Sequence, residues 1–595
     1  MRTALHGTGR RAPTRRGSRP TRRAPVRRRG SSRRSRTAAD SRPGRSRAGV
    51  PQALREYQER IRFQIVREAI QGRRVVACLQ AHGQCRRRRR CFFRRSGLAQ
   101  TADDSPVECF LEGYALAAHL LAKQALGFGF EGHGRSHDEH HDAPFLCNQR
   151  IAHCVATATR TPRSQMKDRS KTTELAPGLT VSAVVTGLWQ IADMERDGRG
   201  VDLDAAARSM GAYVDAGFTT FDMADHYGSS ELIAGRFGRR YANGRPVQLL
   251  TKWVPEPGGT RPDGVREAVE RALERLQADR LDLLQFHAWN YADPRYLDEL
   301  YCLDELRREG LIAHLGLTNF DTAHLRLVLE SGIEVVSNQI CYSLLDQRAA
   351  GAMARLCEAY GVKILAFGTL AGGFLGARWF GKAEPAMADL ATWSQMKYKR
   401  YIDAAGGWDL FQVLLEALHG VSERTGLDMA NVASRFILEQ PAVGAVIIGA
   451  RLGRSEHIDS NRRLLDTSLD RESHDVLRGA LAELRPIHGD CGDEYRKPPF
   501  LTASGDLSHH LESFPAPYPT RSGSNGRRRA LSGTVWEDIA GFSRAVRQGD
   551  RILVSGTTAT HGDRIIGRDD VTTQTHFVID KIEGALQSLG ARLED

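Results

Sequence analysis

Two periodicities alternate along the chain beyond about residue 176. Runs rich in β-branched and other apolar residues at 180–189, 218–224, 247–253, 281–287, 312–319, 335–340, 363–369 and 444–450 read as strands. Between them, 202–217, 229–244, 262–277, 294–310, 321–332, 348–361 and 427–440 repeat apolar residues every three to four positions and read as amphipathic helices. Eight strands alternating with helices imply an α/β fold of the (β/α)8 type, a TIM barrel. An open doubly wound sheet would want a Gly-rich turn after the first strand, and Gly187-Leu188-Trp189-Gln190-Ile191 is not one.

Outside this region the pattern fades. Residues 1–50 are mostly Arg, Ser, Pro, Gly and Thr, which cannot bury enough surface to offset the entropy of ordering. Residues 51–95 show some helical spacing and include five consecutive arginines at 86–90. Charge sharpens the division. The 595-residue chain carries a net +14, but residues 1–100 hold 30 Lys and Arg against 4 Asp and Glu, so the remainder is net acidic. A nucleic-acid role could rest only on this leader, and arginine blocks without interleaved aromatics carry little recognition content. Residues 1–165 are therefore expected to be an Arg-rich leader, disordered or non-native, with Met166 as the true start.

The crowd His133, His137, Asp138, Glu139, His140, His141, Cys147, His153 and Cys154 lacks two ligand pairs at zinc spacing, and no metal is expected. Downstream, 166–488 is the expected barrel, and 489–532, mixing Pro, Ser, Gly and His, is the expected linker. Residues 533–595 form a small unit with strands at 533–542 and 551–557 and a helix at 572–590. Ten cysteines without paired spacing point to a reducing compartment, the cytoplasm, and no uninterrupted apolar run is long enough to span a membrane.

In a barrel of this class, chemistry sits where the strands end. Asp222 ends the second strand, Tyr227 follows in its loop, Lys252 ends the third and His287 the fourth. A lysine after the apolar run 247–250 needs a carboxylate partner, and Asp222 on the neighbouring strand is placed to be one. A tyrosine exchanges protons near neutrality only beside a cation that favours its phenolate. Lys252 would supply that charge to Tyr227, Asp222 would hold Lys252, and a neutral His287 would hydrogen-bond the reacting oxygen.

The residues from Gly217 through Asp222 and Tyr227-Gly-Ser-Ser-Glu231, then Leu250-Thr-Lys252 and Asp282-Leu-Leu-Gln-Phe-His287, resemble the aldo/keto reductases in order and spacing. The likeness continues through Gly316-Leu-Thr-Asn319, Val336-Ser-Asn-Gln339 and Ile447-Ile-Gly-Ala-Arg451. It implies a TIM barrel, catalytic roles for Asp222, Tyr227, Lys252 and His287, and a nicotinamide cofactor across the barrel mouth. By the same resemblance, Thr318, Asn319 and Gln339 would hold the nicotinamide, Phe367 would stack on its ring, and Gly368, Thr369 and Leu370 would lead toward the pyrophosphate. Gly449, Arg451 and Asn461 would take the adenosine end, with Arg451 as a 2′-phosphate clamp that makes NADP (NADPH) the expected cofactor and NAD the less favoured one. His457 and Ser460 stand where many relatives place an arginine and a glutamate.

The expected function is an NADP-dependent oxidoreductase that reduces an aldehyde, ketone or sugar to an alcohol, or runs the reverse. The alternative is a slow or non-catalytic NADP-binding redox sensor. An insertion at 376–421, rich in aromatics and bases, is expected to overhang the mouth and favour a polar or anionic oxygenated substrate. Finally, SRAVRQGDRILVSG at 543–556, with Gln574 and its helix, resembles the first half of the Rid family of small trimeric enamine/imine deaminases. That family's catalytic arginine lies in the second half, so the resemblance implies no deaminase activity in this chain. It also implies a poorly ordered end unless another copy completes the fold, which makes the unit a candidate contact in a homo-oligomer.

Overall fold

The computed structural model describes residues 171–595 apart from 196–197, 455–456 and 504–513. The leader 1–165, its arginine blocks, the His-rich tract and Met166 lie outside the described residues.

An antiparallel hairpin, β1 (Thr172–Ala176) and β2 (Leu179–Ser182), opens the described chain. Eight parallel strands then close into a barrel: β3 (Val184–Gly187), β4 (Thr220–Asp222), β5 (Gln248–Trp253), β6 (Leu281–Phe286), β7 (Ile312–Thr318), β8 (Ser337–Cys341), β9 (Lys363–Phe367) and β10 (Val443–Gly449), with β10 pairing back onto β3. The expected (β/α)8 architecture is the one found. One predicted strand, 180–189, is in fact two elements: Ala183 separates the hairpin arm from the barrel strand, a corner that an apolar run cannot reveal.

Side chains facing into the barrel, among them Val185, Leu250, Leu283, Leu365 and Ile447, pack against Leu175, Leu179 and Val181 of the hairpin. The hairpin therefore plugs the end where the strands begin. On the outside, Phe221, Leu284, Phe286, Leu315, Leu317 and Val446 meet the apolar faces of the surrounding helices. Local signals set several helix starts. Asp202 and Asp321 accept hydrogen bonds from backbone N–H groups of the first turns of Leu203–Asp215 and Thr322–Glu330, and Pro262 opens Pro262–Leu276. The insertion at 376–421 is helical for much of its length, in Trp393–Ala404 and the start of Trp408–Thr425.

Parts of the segment expected to be linker are built into the fold. Arg348 reaches Asp346 at 2.7 Å and Glu494 at 2.9 Å, in a triad almost wholly removed from solvent, and also donates to the carbonyl of Asp490. Thr520–Ser522 (β11) and Arg528–Ala530 (β12) join Ala545–Gln548 (β13) and Arg551–Val554 (β14) in a four-stranded antiparallel sheet. The strand expected at 533–542 is instead a short helix, Val535–Ile539: Glu537 folds back to accept from the N–H groups of Ser532 and Gly533, which fixes a helical turn.

A long C-terminal helix, Val571–Ser588, covers the sheet and lies along Thr322–Glu330 of the barrel. His324 sits between Asp321 on its own helix (2.7 Å) and Asp580 on the C-terminal helix (3.1 Å), with its ring stacked on Tyr291 at 3.5 Å. Arg326 pairs with Asp570, and His561 with Asp298. Although burial opposes its charge, the two carboxylates raise the His324 pKa to about 9, while His576 and Asp570 stand nearby. A raised histidine pKa adds stability that is fully present below about 6.5 and lost as the pH climbs through about 9. Wild type should thus exceed His324→Gln in unfolding stability by on the order of 1–3 kcal/mol at pH 6.5, with the difference closing above pH 9 in denaturant titrations. A difference independent of pH would show that His324 serves only by packing.

Candidate active site

The tetrad expected from sequence converges at the end of the barrel where the strands finish. Asp222 is the last residue of β4 and lies in register with Gly187, and Lys252 on β5 lies in register with Gln285 of β6. The Lys252 ammonium donates to Asp222 Oδ2 at 2.5 Å and to the carbonyl of Met223 at 2.9 Å. It lies 4.7 Å from the centre of the Tyr227 ring. Burial pulls the Lys252 pKa down, opposed by the carboxylates of Asp222, Asp225 and Glu231. Glu231 fixes the turn that carries Tyr227, accepting from Thr251 Oγ1 at 2.6 Å and from Arg275 at 3.2 Å. The Tyr227 ring is gripped edge-on by Trp189 at 4.9 Å and His226 at 4.8 Å.

His287 follows directly on β6 and is buried. Desolvation, and then the Arg496 guanidinium, push its imidazole well below the usual range, so it is neutral near pH 7. Its Nδ1 lies 3.2 Å from the carbonyl oxygen of Thr318, which can only accept, so Nδ1 carries the proton. The other ring nitrogen, Nε2, is buried without a partner among the described residues, and it offers a lone pair to the cavity that His287 lines.

That cavity measures about 670 Å³. Besides the tetrad, every residue assigned by resemblance to the cofactor lines it: Thr318, Asn319, Gln339, Phe367, Gly368, Thr369, Leu370, Gly449, Arg451 and Asn461, together with His457 and Ser460. Their polar atoms are not equally available. Thr318 Oγ1 donates to the Gln339 carbonyl at 3.2 Å, Thr369 Oγ1 is 2.9 Å from Ser434 Oγ, and Gln339 Nε2 donates to Asp222 Oδ1 at 2.7 Å. Asn319 has a positive φ of 58°, and its buried Oδ1 has no partner among the described residues. Arg451 is more open, with Asp193 at 3.5 Å.

Several lining residues were not anticipated: Trp189, His226, Trp289 and Tyr495, with Gln285 just beneath, whereas Lys397 comes from the insertion expected to overhang the mouth. Tyr495 comes from the presumed linker. Its ring stands edge-on to His287 at 5.8 Å, and its hydroxyl accepts from Lys397 Nζ at 2.6 Å. The next residue, Arg496, ties this strap to the strand ends by donating to the carbonyls of Ala288 (3.0 Å) and Asn319 (2.6 Å). Gly492 is the hinge of the approach: at φ 80°, a Cβ there would lie 2.0 Å from the Asn319 carbonyl oxygen. Gln285 left a trace in the sequence, as an amide inside an otherwise apolar strand end; Tyr495 left none.

Among the described residues no cluster of His, Cys, Asp and Glu could hold a metal ion, and no helix is long and apolar enough to cross a membrane. The profile of the aldo/keto reductase family matches residues 183–482. Protein tas of Escherichia coli is 28% identical over 314 residues, which cover 46% of this chain and 86% of the relative. The uncharacterized oxidoreductase YrpG of Bacillus subtilis is 30% identical, covering 50% of this chain and 90% of the relative. Among solved structures, the glycerol dehydrogenase from Gluconobacter oxydans aligns with a TM-score of 0.45 at 23% identity, over 55% of this chain and 98% of that one. With half of its length under the family profile, and with the barrel on which that family is built, the chain belongs to the aldo/keto reductases, a family of oxidoreductase enzymes.

Proposed function

We propose that the protein is an NADP-dependent oxidoreductase that interconverts a carbonyl compound and its alcohol, with Tyr227 as the general acid of reduction and the base of the reverse reaction. The observation that carries this reading is the Asp222–Lys252 pair buried against the ring of Tyr227 at the mouth of the large cavity.

The residues present fit a nicotinamide cofactor. The orphaned Asn319 Oδ1 suits an amide N–H, the Phe367 ring borders the same space, and the cavity is of a size to hold a large part of such a molecule. When bound, the nicotinamide supplies or takes up the hydride. The chain does the rest. Tyr227 passes its proton to the carbonyl oxygen, and Lys252 offsets the charge left on the phenolate. His287, neutral and with Nε2 as an acceptor, receives a hydrogen bond from a hydroxyl: that of the alcohol form, or one beside the carbonyl. Trp189, Trp289 and Tyr495 exclude water and offer faces and edges to an oxygenated substrate. At the far end Arg451 is placed to receive a 2′-phosphate. Its contact with Asp193 is long and partly exposed, so it yields readily to a doubly charged group.

We read the sheet of β11–β14 with its covering helix, Val571–Ser588, as a Rid-like unit. The antiparallel sheet under a single helix supports this, and the exposed side chains of Leu553 and Ile539 leave an apolar surface suited to contact between copies.

Tyr227→Phe should lower NADPH-dependent reduction of 4-nitrobenzaldehyde by on the order of 10²–10⁴-fold, while NADPH still quenches protein fluorescence with the wild-type midpoint. Retained turnover would move the acid elsewhere. Wild-type binding of NADPH without turnover of any aldehyde, ketone or sugar in a panel would favour the redox-sensor alternative. Arg451→Ala should weaken NADPH by on the order of tenfold and leave NADH unchanged; equal weakening of both would remove Arg451 from the 2′-phosphate role.

A further inference from the structure

Asp222 presents two oxygens, and only Oδ2 faces Lys252. Oδ1 accepts from Gln285 Nε2 at 3.0 Å and from Gln339 Nε2 at 2.7 Å. The two amides also meet each other, Gln339 Nε2 lying 2.8 Å from Gln285 Oε1. Gln285 is fully buried, between Leu284 and Phe286. A side-chain amide there costs desolvation and has to be repaid by its hydrogen bonds.

Strand register explains how the amides reach one another. Gln285 is on β6 and Gln339 on β8, with β7 between them and Gly316 opposite both Gln285 and Ser337. A Cβ at Gly316 would lie 2.5 Å from Ser337 Oγ and 3.2 Å from Gln285 Cγ. The missing side chain on the middle strand is what lets the flanking glutamines join beneath the mouth.

We propose that Gln285 is a positioning residue of this site: with Gln339 it holds the Asp222 carboxylate as the charged partner that keeps Lys252 protonated beside Tyr227. The proposal rests on the reading of Tyr227 as the proton-transferring group. Without the Gln285 amide, Asp222 Oδ1 loses a donor and Gln339 loses an acceptor. The Asp222 carboxylate is then held less firmly against Lys252 Nζ, and the positive field at the Tyr227 ring weakens. Asp225 and Glu231 also face Lys252, His226 abuts Tyr227, Arg275 stands behind Glu231 and His287 is neutral. Apart from His287, which follows Gln285 by two residues at the end of β6, these groups hang from other turns and helices, and all remain when Gln285 is changed.

The test uses the full chain labelled with [ζ-¹³C]tyrosine, the Tyr227 resonance being identified by its loss in Tyr227→Phe. In Gln285→Met, and in Gly316→Ala, which crowds Ser337 and the stem of Gln285 without removing the amide, the titration midpoint of Tyr227 should rise by on the order of half a pH unit or more. The alkaline limb of 4-nitrobenzaldehyde reduction by NADPH should move with it, and NADPH affinity should hold within about twofold. An unmoved midpoint in a variant with wild-type circular dichroism would overturn the proposal, as would activity lowered evenly across the pH range. If Gln285→Met does not fold, Gly316→Ala carries the measurement. A shifted midpoint in a protein that reduces nothing would uphold the positioning role while removing the reductase reading, so the two fail separately.

Discussion

An ammonium group buried inside a barrel must be answered by opposite charge or neutralised, and the architecture around Lys252 is organised by that demand. The carboxylate of Asp222 comes from the adjacent strand, the carbonyl of Met223 adds a second acceptor, and Asp225 and Glu231 stand behind. Each depends on backbone placement. β4 must end at Asp222, and the turn after it must curl back so that Tyr227 lies over the lysine. Removing the lysine would leave Asp222 buried without its cation, which costs several kcal/mol in comparable pairs. The pair fixes a positive charge beside the Tyr227 ring at the mouth of the cavity.

The barrel geometry makes this arrangement economical. Parallel strands in continuous register bring residues far apart in sequence onto one rim, and the hairpin closes the opposite end. Polar side chains at the strand ends accordingly face one cavity, and the hydrogen bonds among them reach across three strands at Gly316.

Much of this was legible in the sequence, for physical reasons that can be stated. Doubly covered strands read as apolar runs, and the helices between them keep one apolar stripe, so barrel elements fell within a few residues of their observed bounds. The rim positions of Asp222, Lys252 and His287 were visible because a polar residue stands out at the end of an apolar strand, where burying it unpartnered is costly. What failed was non-local. The corner at Ala183 interrupts an apolar run without changing its composition. Tyr495 reaches the site only because Arg348, distant in sequence, binds Glu494. The tautomer of His287 depends on a carbonyl belonging to the next strand. Val535–Ile539 reads as a strand by composition, but Glu537 turns it into a helix.

The two attachments made by the chain after the barrel differ in their exposure to the ionic atmosphere. The Arg348–Asp346–Glu494 triad that seats the strap has side chains no more than 5% exposed, out of reach of mobile ions. The pairs Arg326–Asp570 and His561–Asp298, which help seat the C-terminal unit on the barrel flank, have side chains open to 39% and 56%. Screening falls on the second set and spares the first. Rising ionic strength therefore weakens the Arg326–Asp570 contact at the edge of the flank, while the largely buried His324–Asp580 contact and the wall beside His287 are spared.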